Sequence, residues 1–197
     1  MILAGLSMAI AIALGYTLGG RVSNVARLGV RWPVVAVVGL ALQMVPARGF
    51  LAGLVFPALI ASFILLAAFV VVNLDYPGFV VILVGIALNL TVIAIDHGMP
   101  VTLGALASAH ELGSLKELAA AGARYHLARP TDALLPLGDS IGSPVPFHLV
   151  VSPGDIAIYA GMIWFVVWAM GRHARSTREG FRTWRHARRA ERSRLPI

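Results

Sequence analysis

The sequence predicts an all-α integral membrane protein with five transmembrane helices, a partly helical extracytoplasmic cap and a basic cytoplasmic tail. Three observations predict it. Hydrophobic residues make up 58% of the chain and charged residues 13%, and a soluble domain carries about twice that charged fraction. Apolar runs recur along the chain at lengths suited to a hydrocarbon core of about 30 Å. If all five runs cross, twelve basic residues fall on one side and four on the other, which is the positive-inside pattern.

The first run, Met1–Gly20, is uncharged. The basic n-region of a signal peptide is missing, and Arg21, Arg27 and Arg31 follow the run instead. It reads as an uncleaved span with its N-terminus outside. Pro33–Val45 is apolar but short, covering only about 20 Å at 1.5 Å per residue. Parity still requires it to cross, and it borrows Leu28–Trp32 while Arg31 snorkels to the headgroups. Phe50–Val72 is a full span containing Pro57, tolerated because neighbouring helices or local adjustments can satisfy the freed carbonyl. Asn73–Gly78 is a turn by composition. Phe79–Ile95 is the fourth span and Ile156–Gly171 the fifth, in chain segments 1–95 (four-span bundle), 96–154 (cap), 155–171 (last span) and 172–197 (tail).

Segment 96–154 is the one large extramembrane piece. Leu103–Leu127 has apolar residues at mixed i+3/i+4 spacing and reads as one or two helices. Pro130–Pro153 reads as loop. Pro144, Pro146 and Pro153 restrict the backbone around Phe147–Val151, so this stretch should lie extended on the spans rather than helical. A proline- and glycine-rich loop of this kind in a compact protein is more often functional than idle.

The candidate site residues lie in or beside this loop. Asp155 starts the last span after Ser152-Pro-Gly. Its plain role is to cap that helix; its chemical role is a carboxylate at the membrane boundary, with a pKa raised by poor solvation and by a partner acid. Two partners are available: Asp96, which closes the fourth span, and Asp139 in the intervening loop. Asn89 lies two turns below Asp96 on the same face, and a polar residue at that depth faces protein rather than lipid. Tyr159 and Met162 share the face of Asp155 at i+4 and i+7. His126 and His148 complete the pocket candidates. Two close carboxylates sharing one proton can activate water, so Asp155, Asp139 and Asp96 are the catalytic candidates.

Other chemistries are disfavoured. With no cysteine, thiolate catalysis, disulfides and Cys-ligated metal are excluded. His97, His110, His126 and His148 lie outside, but none has the spacing of a helical metal site, so neither metal nor cofactor is expected. The spans hold no buried histidine for a haem. Nine of the 16 basic residues follow Gly171. With Phe181 and Trp184 beside a membrane, they fit a solvated topogenic tail or one resting on anionic headgroups, not a nucleic-acid arm.

Two resemblances rest on particular residues. DHGMPV at 96–101, YHLARPTDALLPLGDSIGSP at 125–144 and SPGDIAIYAG at 152–161 together resemble a family of uncharacterised bacterial multi-pass membrane proteins. That family usually has Asn-Gly-Gly-Met-Pro where this chain has Asp96-His97-Gly98-Met99-Pro100. The resemblance implies a plasma (inner) membrane topology and no activity. More locally, SPGDIAIYAGMIWFVV is similar to the last-span motif of lipoprotein signal peptidase, where Phe-Asn-x-Ala-Asp precedes an apolar helix. That likeness implies a catalytic role for Asp155, with Asp139 or Asp96 as the second aspartate. Ser152-Pro-Gly stands here in place of Asn-x-Ala. Two function classes follow: a signal-peptidase-like membrane hydrolase, or a non-catalytic scaffold or subunit bound to another membrane protein.

Overall fold

The computed structural model describes residues 2–47, 49–115, 122–143 and 148–171. The tail 172–197, part of the expected cap helix and residues 144–147 lie outside the described residues. The chain is mostly helical. Its principal helices are α1 (Ile2–Thr17), a single turn α2 (Val22–Val25), α3 (Pro33–Leu42), α4 (Val55–Val71) and α5 (Phe79–Asp96). A short α6 (Leu103–Ser108) lies in the cap, and α7 (Pro153–Met170) closes the described chain. Among the described residues, three helical segments are long and apolar enough to cross a membrane: Gly49–Val71, Phe79–Asp96 and Pro153–Met170. Leu3–Thr17 and Pro33–Leu42 are apolar but shorter.

The helices pack as a row. α5 lies against α7 and α4; α1 flanks α7 and α3 flanks α4. Glycines set the closest approach. Gly78 faces Gly161, and Gly85 faces Gly154, along an antiparallel α5–α7 seam. A Cβ at Gly161 would come within 2.6 Å of the Gly78 carbonyl oxygen. Only hydrogen side chains permit such contact, the means by which apolar helices gain packing without a hydrophobic driving force between them. Towards the lower part of the same seam sits an aromatic cluster. Phe79 and Phe165 meet edge-on at 4.9 Å, and Tyr76 packs on Phe165 and Trp168.

One end of the row is tied by backbone and amide hydrogen bonds. Arg21 N–H and Asn24 Nδ2 both donate to the Met170 carbonyl, at 2.8 and 2.9 Å, joining the end of α1 to the end of α7. Asn73 is 1% exposed and bridges two loops. It accepts from Arg31 N–H at 2.8 Å and donates to the carbonyls of Arg31 and Phe69, each at 2.8 Å. Arg31 also pairs with exposed Asp75 at 3.8 Å.

The opposite end carries the cap. Two short pairings add β structure that helical spacing did not anticipate. β1 (Met99–Val101) runs parallel to β2 (Tyr125–Leu127), and β3 (Ile141–Ser143) runs antiparallel to β4 (Leu149–Val151). The helical expectation holds at Leu103–Ser108; Tyr125–Leu127 is a strand instead, because its backbone finds partners on β1 that a lone turn of helix could not supply. β4 is extended, as the flanking prolines require. Pro57 is accommodated by a local adjustment of the helix. The chain runs as a 3-10 turn from Gly49 to Leu54, and the α-helix begins at Val55. Pro57 therefore occupies the first α-helical turn, where an N–H has no helical partner to lose.

Candidate functional site

α7 begins with a capping box. Ser152 Oγ accepts from Asp155 N–H at 3.0 Å, and Asp155 Oδ2 accepts from Ser152 N–H at 3.4 Å. The first turn of a helix attracts such groups because its N–H donors lack partners. The box is joined to α5. Asn89, 2% exposed, donates from Nδ2 to Asp155 Oδ1 at 2.7 Å and accepts from Ser152 Oγ at 3.0 Å. A Cβ at position 154 would fall on Asn89 Oδ1, so Gly154 is what lets the amide reach the cap.

Asp139 arrives from the other side. Its segment lies beside β1: Asp139 N–H donates to the Pro100 carbonyl at 2.9 Å, and its own carbonyl accepts from Thr102 N–H at 3.1 Å. The side chain is buried, at 8% exposure, and Oδ1 has no hydrogen-bond partner among the described residues. Burial pushes the Asp139 carboxyl up to about 8, with the negative charge of Asp155 as the second cause. Each effect disfavours a charged carboxylate. The charge of Asp155 therefore reaches Asp139, and Asn89 holds Asp155. Tyr125, on β2, belongs to the same cluster. Its phenol is pushed up to about 12, first by burial, then by the charges of Asp139 and Asp155, although 38% of the whole residue's surface is exposed. Sequence reading missed Tyr125. The alternation of YHL into opposite faces, once recognised as a strand, would have separated Tyr125 from His126. Tyr159, one turn below Asp155 on α7, lies within electrostatic reach of both acids.

Asp96 is placed differently. Its two oxygens accept from the backbone N–H groups of Ala133 and Leu134, at 2.8 and 3.2 Å. It anchors the loop that delivers Asp139. The following His97 and Gly98 take left-handed backbone, φ 57° and 137°, where the resembling family carries Gly-Gly; His97 stacks on Phe56 with ring centroids 5.5 Å apart. His126 Nε2 lies 3.2 Å from Asp132 Oδ2, which also accepts from Arg129 N–H. His148 Nδ1 meets the Ala109 carbonyl at 2.8 Å. Among the described residues no hydrogen bond joins His126 or His148 to Asp139 or Asp155, and no three His, Asp or Glu side chains converge as a metal site.

The fold and this cluster define a class: a mostly helical protein with membrane-length apolar helices and a capped end holding two interacting carboxylates. The chain belongs to a family of unknown function, DUF5317, whose model matches residues 27–167. The match takes in Asn89, Tyr125, Asp139, Asp155 and Tyr159, and begins after α1. No curated protein and no solved structure matches the chain.

Proposed function

We propose that this protein spans the plasma (inner) membrane five times, with its capped end outward, and that Asp139 and Asp155 form an acid–base pair acting on a membrane-embedded substrate. The reaction class is hydrolysis of a carbonyl compound, in the manner of aspartic hydrolases. One carboxylate takes a proton from water as its oxygen adds to the carbonyl carbon. The other acid gives a proton to the carbonyl oxygen, and collapse of the tetrahedral species expels the leaving group with a returned proton. One observation carries this reading: Asp139 is buried, one of its oxygens has no partner among the described residues, and it lies under the charge of Asp155. Asp96 supports the site by holding the 133–134 backbone, and Asn89 and Tyr159 line it. His126 and His148 stiffen the cap around it.

The topology rests on the alternation of helix directions and on the basic residues Arg21, Arg27 and Arg31, which share one end with the C-terminus of α7. The lipid bilayer is the first partner, and the tail 172–197 meets anionic headgroups on the cytoplasmic side. A non-catalytic subunit of a membrane complex is the alternative. The capping box favours it, since Ser152 and Asp155 would pair in this way without any chemistry.

A statine-containing lipopeptide tests the two readings. Its hydroxyl occupies the place of a tetrahedral oxygen, so a paired-acid site binds it. The expected result is saturable binding to the full chain in lipid nanodiscs, weakened at least about tenfold, roughly 1.4 kcal/mol, in Asp139→Asn and in Asp155→Asn while both variants unfold cooperatively. Equal binding by all three proteins would contradict the hydrolase reading and leave the scaffold.

A further inference from the structure

We infer that Asn89 is a positioning residue that makes Asp155 the charged, proton-accepting member of the pair and Asp139 the member that carries the proton. This deepens the paired-aspartate reading and rests on it. The argument is the direction of hydrogen bonds around a closed ring. Asp155 N–H can only donate, and it donates to Ser152 Oγ at 3.0 Å. The Ser152 hydroxyl has one proton. Ser152 is fully buried, and that proton goes to Asn89 Oδ1 at 3.0 Å. The amide oxygen therefore faces Ser152, and the amide nitrogen faces Asp155 Oδ1 at 2.7 Å.

The reversed amide fails on the same geometry. Nδ2 would face Ser152 Oγ, leaving the hydroxyl proton without its acceptor. Oδ1 would face Asp155 Oδ1, two acceptors at 2.7 Å unless Asp155 took up a proton. The fixed donor at Asp155 N–H thus sets the amide orientation, and both oxygens of Asp155 face donors, Nδ2 on Oδ1 and Ser152 N–H on Oδ2, which favours the charged carboxylate. Gly154 keeps the ring closed, since a Cβ there would displace the amide oxygen.

Asp139 has the opposite surroundings. Among the described residues no donor reaches its Oδ1. The charges of Asp139 and Asp155 reach two phenols, Tyr125 from β2 and Tyr159 from α7, and Arg124 acts on Tyr125. Nη2 of Arg124 is committed to the carbonyls of Gln43 and Val45, at 2.7 and 3.1 Å. An ionised Asp139 would be a buried charge without compensation, in keeping with its raised value of about 8. In the hydrolytic cycle Asp155 is then the base that takes the water proton, and Asp139 the acid that protonates the carbonyl oxygen.

Infrared spectroscopy of the full chain in lipid nanodiscs reads the proton's location without any substrate. At about pH 6, where ordinary carboxylates are ionised, the wild type should show a protonated-carboxyl band that Asp139→Asn loses and that Asp155→Asn keeps at least in part, its midpoint lowered by loss of the Asp155 charge. Adding Asn89→Leu to Asp139→Asn should restore a band, now owed to Asp155. Should that variant not fold, Ser152→Ala in the same background removes the proton that orients the amide and should restore the band too. A wild type with no band, a band lost in Asp155→Asn instead, or a folded double variant that stays bandless would each overturn the assignment. Statine binding can fail while these bands behave as stated, so the two proposals fail separately.

Discussion

Asn73 carries more of the loop end than any other polar side chain described there. Its carboxamide replaces a backbone partner for Arg31 on both N–H and C=O, and it is almost wholly buried. Removing it strands a donor and an acceptor away from water, and each such group costs about 1–3 kcal/mol. Asn73→Ala should therefore lower stability by roughly 2–4 kcal/mol, read as an earlier thermal unfolding transition in detergent. Asp75→Ala at the neighbouring exposed ion pair is the control. A pair so exposed contributes at most about 1 kcal/mol, so that variant should unfold close to wild type. Similar shifts in the two variants would contradict this view of Asn73.

At the scale of elements, the α5–α7 seam positions the site. Gly85 and Gly154 allow the two helices to approach at the level where Asn89 crosses to Ser152 and Asp155. A Cβ at Gly85 would strike the Gly154 backbone oxygen, whereas one at Gly5 in α1 would meet nothing within 4 Å. Gly85→Ala should cost about 1–3 kcal/mol by overpacking, and Gly5→Ala should be neutral or slightly stabilising by helix propensity. Thermal unfolding of the two variants side by side checks this, and a tolerated Gly85→Ala would show that the seam has slack. Much of this element was legible beforehand. Apolar length gave the α5 and α7 spans, and the depth of Asn89 pointed inward. Ser152-Pro-Gly-Asp155 reads as a helix start from local chemistry alone. The β1–β2 pairing was not legible, because three-residue strands carry too little periodicity, and their partners lie far apart in sequence. Tyr125 was lost with them. Asp96 shows the same limit from another side: an aspartate ending a helix looks identical in sequence whether its oxygens serve chemistry or two backbone N–H groups of a distant loop.

For the whole molecule, the apolar helices are of unequal length. α3 spans about 15 Å and α4 about 26 Å at 1.5 Å per residue. The short helix borders α4 at one edge of the row, and its end is met by Arg124 from the cap. If the cap is outside, a reporter active only in an extracytoplasmic compartment should be silent when fused after Ile197 and active when inserted beside Gly122. The reverse pattern would invert the topology. A silent result at both positions, with normal expression, would contradict a cap that faces outward.

Under the proposed function Asp139 and Asp155 act on each other as a pair. The midpoint of the Asp139 carboxyl titration, followed by carbon NMR of labelled aspartate in detergent, tests it most directly. Burial and the charge of Asp155 both raise this midpoint, so the wild type should titrate near 8. Asp155→Asn removes one of those two causes and keeps the helix cap, so the midpoint should fall in that variant while staying above the ordinary carboxylate range. A wild-type midpoint near the usual aspartate value of about 4, or a raised midpoint that Asp155→Asn leaves unmoved, would contradict the pair.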